Sequence, residues 1–118
     1  QVISQTKLPF IIKGVLSITD AEKAVELGAS AIAVSNHGRS SIDFTVPSMI
    51  ALPKIAESVG DKVTVLIDTG FKTGSDVLKA LAFGAKAVGF ASSMLLGYAA
   101  GGPLGGARQV CSLKARTA

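Results

Sequence analysis

Ala31-Ile32-Ala33-Val34-Ser35-Asn36-His37-Gly38 sets an unbroken aliphatic run against a polar end closed by glycine. A near-continuous apolar run of this length, without alternation, marks a strand covered on both faces, as in parallel sheets. Phe10 to Ile12, Thr64 to Ile67 and Ala87 to Phe90 share the form. Helical stretches lie between them at Ala21 to Leu27, Met49 to Val59 and Val77 to Phe83, with Thr19-Asp20, Ser48 and Ser75-Asp76 as start signals. A further helix is expected from Met94. Gly28 and Gly84 stand where a left-handed residue closes a helix. The order βαβαβαβ gives an α/β fold with parallel strands.

Sliding the sequence by 56 positions pairs Gly14 with Gly70, Asp20 with Asp76, Lys23 with Lys79, Ala24 with Ala80, Gly28 with Gly84, Ala29 with Ala85 and Ala31 with Ala87. This internal repeat supports an array of βα modules. Repeat and alternation do not decide between an arc of a barrel and a doubly wound sheet. The 118 residues form one expected domain, 1–118, but fall short of the roughly 250 that a complete (β/α)₈ barrel uses, so at most half of one is present. Gly101 to Ala118, with its glycines and Pro103, reads as a loop (from 103) followed by a frayed helical tail to 118. The start, Gln1 to Lys7, has neither Met nor a signal pattern and reads as the continuation of a longer chain.

The composition is 48% hydrophobic and 17% charged, which excludes disorder and leans toward aliphatic burial. A net charge of +4 suits an anionic ligand, but the basic residues are scattered and form no nucleic-acid stripe. No apolar run reaches the length of a membrane span. The single cysteine, Cys111, forms no internal disulfide, which favours a reducing, cytoplasmic compartment. No metal-ligand pattern is present.

In α/β folds, function gathers just beyond the strand carboxyl ends. Here those ends carry Lys13-Gly14, Ser35-Asn36-His37-Gly38, Asp68-Thr69-Gly70 and Ala91-Ser92-Ser93. Lys13 follows three apolar residues, so it faces either an anion or electron-rich ring, or a carboxylate such as Asp68. His37, the only histidine, serves as a general base or as an ordinary hydrogen-bonded residue. Asp68 meets a sugar-like hydroxyl, with Gly70 admitting close approach and Lys72 supplying charge, or is a helix-start carboxylate beside a turn glycine. Ser92 and Ser93 open a helix that either holds phosphate or is only capped by them.

Taken together, residues 8–14, 34–38 and 66–70 and the run Asp76-Val77-Leu78-Lys79-Ala80-Leu81-Ala82-Phe83-Gly84-Ala85 resemble the FMN-dependent α-hydroxy-acid dehydrogenase and oxidase family, which includes glycolate and lactate oxidases. Ser-Asn-His-Gly at a strand end is the specific part of the likeness. The resemblance implies the C-terminal half of a TIM (β/α)₈ barrel: four βα units with parallel strands. It implies FMN as cofactor and oxidation of a small L-2-hydroxy acid, of lactate or glycolate type, to the 2-oxo acid. In that reading His37 is the base, Lys13 lies near the flavin N1 and O2 edge and Ser35 touches the ring. Asp68, Thr69, Gly70, Lys72, Ala91 and Ser92 bind the rest of the cofactor, and Arg39 and Ser40 meet the substrate.

The chain departs from the family pattern at its ligand contacts. An arginine three residues after the histidine is replaced by Ser40, with Arg39 one residue early. Asp-Gly-Gly-x-Arg appears as Asp68-Thr69-Gly70-Phe71-Lys72, and Gly-Arg-Pro as Ala91-Ser92-Ser93, which implies weaker phosphate binding. The isolated chain is expected to be inactive. Its partner would be a missing N-terminal half-barrel or a second copy in a homo-oligomer. The alternative is a degenerate, non-catalytic half-barrel acting as an assembly module.

Overall fold

The computed structural model describes residues 2–114. After a 3₁₀ turn at Ile3–Gln5 come β1 (Ile11–Val15), α1 (Ile18–Glu26), β2 (Ala31–Val34), a 3₁₀ segment (His37–Arg39), α2 (Ser48–Val59), β3 (Thr64–Asp68), α3 (Gly74–Ala82), β4 (Ala87–Gly89) and α4 (Ser92–Lys114). All four strands are parallel, in the order β1-β2-β3-β4. A doubly wound sheet reverses its order at a switch point, whereas a sequential order has none. The sheet is therefore an arc of βα units wound in one direction, as in a barrel.

Alternation along the strands divides the sheet into a packed side and an open side. Ile32, Val34, Val65 and Ile67 are buried in one cluster with Ala21 and Ala24 of α1, Leu52 and Ile55 of α2 and Ala80 of α3. On the other side Ile11, Lys13, Thr64 and Ala87 are exposed, Ile11 at 53%, while the small Ala31 and Ala33 of the central strand β2 are buried between their neighbours. The helices thus cover one face, and the concave side of the arc is open at Ile11, Lys13, Thr64 and Ala87.

The internal repeat is visible in the helix ends. Ser17 caps α1 by accepting from Asp20 N, and Thr73, its counterpart, caps α3 by accepting from Asp76 N. At the other ends, Gly28 (φ 82°) and Gly84 (φ 101°) take left-handed turns. Matching pairs of bonds close both helices: Ala29 N to Ala24 O with Gly28 N to Val25 O, and Ala85 N to Ala80 O with Gly84 N to Leu81 O.

Three sequence expectations change. The caps of α1 and α3 are Ser17 and Thr73, while Asp20 and Asp76 sit inside the first turn and bond back to them. Ser48 caps nothing: Pro47 holds the cap position, and the Ser48 hydroxyl, buried, is turned toward the neighbouring strand ends. The glycine-rich tail is helical rather than a loop. α4 runs to Lys114 and is broken only at Gly101–Gly102, where its second arm folds back on the first, with Gly105 against Gly97. Residues 115–118 of the expected frayed tail lie outside the described residues.

Candidate active site

The four strand ends open into a cleft of about 940 Å³ lined by Lys13, His37, Arg39, Asp68, Lys72 and Ser92 among others. Its size is in the range of small-ligand sites. Lys13 projects from β1 beside a register shift at Gly14. Its Nζ lies 3.0 Å from Asp68 Oδ2 and donates to Ser35 Oγ, also at 3.0 Å. The carboxylate partner considered for Lys13 is therefore present. The pair is partly open, the lysine side chain 48% and the aspartate 23% exposed.

Asp68 ends β3 and opens no helix, since α3 starts only at Gly74 under the Thr73 cap. Its second oxygen, Oδ1, is buried and has no hydrogen-bond partner. A buried acceptor left unmet costs about 1–3 kcal/mol, so this oxygen calls for a donor. Ser35 lies beneath the cleft wall, 2% exposed, and accepts from Lys13 Nζ and from His37 N at 3.2 Å.

His37 is exposed and stands on a turn whose three residues all have left-handed φ: His37 53°, Gly38 68° and Arg39 59°. Asn36 sets this turn. Its Oδ1 accepts from Gly38 N at 3.1 Å and its carbonyl from Arg39 N at 2.9 Å. Arg39 lines the cleft, whereas the Ser40 hydroxyl turns back to donate to His37 O at 2.9 Å. Of the two substrate-binding candidates, the structure brings Arg39 to the site and leaves Ser40 in its own loop.

Thr69 and Gly70 follow Asp68 with φ 71° and 89°, and Lys72 is exposed at the cleft edge. Ala91 and Ser92 reach the cleft at the start of α4, and Ser93 donates to Phe71 O at 3.2 Å, tying α4 to the β3–α3 loop. Asn36 and Ser48 also line the cleft, although the sequence assigns neither a role in a site. Asn36 was visible only as part of the Ser-Asn-His-Gly run, and Ser48 looked like a cap. Among the described residues no three His, Cys, Asp or Glu side chains gather as a metal site, and no helix is long and apolar enough to cross a membrane.

A family model described as FMN-dependent dehydrogenase matches residues 1–117. Pre-mycofactocin synthase of Mycolicibacterium smegmatis is 53% identical over 97 residues, which are 82% of this chain and 24% of that protein. L-lactate oxidase of a Nostoc species is 47% identical over 102 residues, 86% of this chain and 28% of that one. A crystal structure of mandelate oxidase with benzoyl-formic acid superposes with a TM-score of 0.92 at 39% identity, covering 98% of this chain and 35% of the oxidase. The chain spans about a quarter of the length of the curated relatives it matches.

Proposed function

This chain belongs to the FMN-dependent dehydrogenase family, a family of α-hydroxy-acid oxidases and dehydrogenases with a TIM-barrel fold, and from that premise we propose that it forms the catalytic rim of an enzyme oxidising a small L-2-hydroxy acid to its 2-oxo acid. One observation carries the reading: Lys13, His37, Arg39 and Asp68 converge on a single cleft at the strand carboxyl ends.

The residues present fit the flavin. Asp68 Oδ1, buried and unpartnered, would accept from a hydroxyl of the ribityl chain. Lys13 offers the cation for the ring edge, while Lys72 and Ser92, with Thr69, Gly70 and Ala91 alongside, would hold the phosphate end. Bound FMN supplies the two-electron acceptor. Arg39 engages the substrate carboxylate from its exposed position, and the imidazole of His37 takes the proton from the hydroxy acid. Lys13 is held in place by Asp68 and Ser35, so its charge is fixed before ligand arrives.

Titration of the chain with FMN, followed by quenching of flavin fluorescence, is expected to saturate; a folded chain that leaves the fluorescence unchanged overturns the reading in favour of a non-catalytic half-barrel. In a complete barrel, His37→Ala should abolish hydroxy-acid oxidation and spare flavin binding. Residual oxidation in that variant would assign the base elsewhere.

A second reading draws on Ser40, whose hydroxyl is committed to its own loop where the family carries an arginine, and on the likeness to pre-mycofactocin synthase. In it the oxidised substrate carries no adjacent carboxylate. Product formation from a hydroxy acid but not from its carboxamide would remove it.

A further inference from the structure

Asn36, Ser48 and Thr69 come from the end of β2, the start of α2 and the end of β3, and their hydrogen bonds close on themselves. Asn36 N donates to Ser48 Oγ at 3.2 Å, Ser48 Oγ and Thr69 Oγ1 lie 2.8 Å apart, and Thr69 Oγ1 donates to Asn36 Oδ1 at 3.0 Å. Counting hydrogens fixes the direction. A hydroxyl has one proton, and that of Thr69 is given to Asn36, so Ser48 must donate to Thr69. The result is a one-way ring, Asn36 N–H to Ser48 O–H to Thr69 O–H to Asn36 Oδ1. Each member donates once around it, an arrangement in which successive bonds polarise one another.

We propose that this ring, with Thr69 and Ser48 as positioning residues, holds His37 at the rim. Asn36 immediately precedes His37, and the oxygen that receives the ring's last bond is also the acceptor for Gly38 N. Turning that amide would therefore break the ring and the left-handed turn together. Thr69 shows the same priority. A β-branched residue is disfavoured at φ 71°, where glycine would sit without strain, yet only a hydroxyl at this position joins Ser48 to Asn36. Ser48 is 2% exposed, so water does not compete for its bonds.

The catalytic meaning of the ring rests on the reading of His37 as base, and the test separates the two. Thr69→Gly removes the hydroxyl while suiting the backbone, Thr69→Ser keeps the hydroxyl, and Ser48→Ala breaks the ring elsewhere. Amide hydrogen exchange and NMR of the chain report directly, because the imidazole signals can come only from His37. In Thr69→Gly and Ser48→Ala the amides of Asn36 and Gly38 should exchange about tenfold faster, and the His37 signals should shift. Val34 and Ile67 should keep their protection, and Thr69→Ser should restore the original rates. Unchanged exchange, failure of the serine variant to restore it, or faster exchange spread through the strands overturns the proposal. In the FMN-loaded complete barrel, Thr69→Gly should lower kcat about tenfold with KM nearly unchanged. Exchange that responds while kcat does not would uphold the ring and overturn His37 as the base.

Discussion

Among the described residues four other than glycine carry left-handed φ, His37, Arg39, Phe44 and Thr69, and three of them line the cleft. Each such conformation costs on the order of 1 kcal/mol or more, so its concentration at one rim requires local bonds that outweigh it. The bonds to Asn36 do so at the histidine turn. Their effect on Arg39 is to present its guanidinium to the cleft while Ser40 is withdrawn. Arg39→Met in an active barrel should therefore raise KM for the hydroxy acid about 10–100-fold, the range for losing a charge-assisted hydrogen bond, with a smaller change in kcat. An unchanged KM in steady-state assays would move carboxylate recognition to another residue. Lys13, His37 and Asp68 were legible in the sequence because each stands at or within three residues of the end of an aliphatic run. The turn that distinguishes Arg39 from Ser40 was not, because it hangs on the orientation of Asn36, which Ser48 and Thr69 hold from 12 and 33 residues away.

At the scale of the element, the twin helices α1 and α3 show how a repeat is written in end chemistry. The Asp76 carboxylate accepts from Lys72 N, Thr73 N and Thr73 Oγ1 at 3.1, 3.0 and 2.9 Å. The backbone bond from Lys72 is the largest cause holding its carboxyl below the ordinary range, with the Thr73 bonds and the Lys79 charge adding to it. The folded-state value is the lower one. The stabilisation is thus complete above the unfolded carboxylate's value and is lost as pH falls through the folded one. Thermal melts of the chain and of Asp76→Asn should differ most near neutral pH and converge as pH falls through the range in which the folded carboxyl takes up its proton; a constant gap would mean that the charge contributes nothing. Thr73→Ala, which breaks the capping box, should cost about 1 kcal/mol in denaturant unfolding. α4 teaches the opposite lesson. Glycine and proline between Gly101 and Gly106 signalled a loop, because a lone sequence cannot tell a glycine that frees the chain from one that lets two backbones touch. A Cβ on Gly105 would run into the Gly97 carbonyl. Gly105→Ala should therefore destabilise the chain by about 1–3 kcal/mol in the same assay, and a neutral result would mean that the arms do not cross there.

For the whole molecule, the decisive fact is that the helices cover one face of the sheet and leave much of the other open. β1 and β4 are its two edges, and Ile11, Thr64 and Ala87 stand exposed on the concave side, where a closed barrel packs layers of side chains. The unbroken aliphatic runs anticipated cover on both faces, and within this chain only one cover is found. That is why the strands and their order were legible in the sequence while closure was not: closure depends on strands beyond these four. Two copies would supply eight, and the open face and free edges give them reason to meet. Sedimentation of the chain should show a concentration-dependent dimer. Ile11, 53% exposed on edge strand β1, would be buried in it, and a buried isoleucine contributes about 1.5–3 kcal/mol. Ile11→Lys should consequently weaken the dimer at least about tenfold, since the change removes that burial from both protomers and sets a charge against an apolar layer. A chain that sediments as a monomer at every concentration, or a dimer indifferent to Ile11→Lys, would show that the concave face is not where copies of this half-barrel meet.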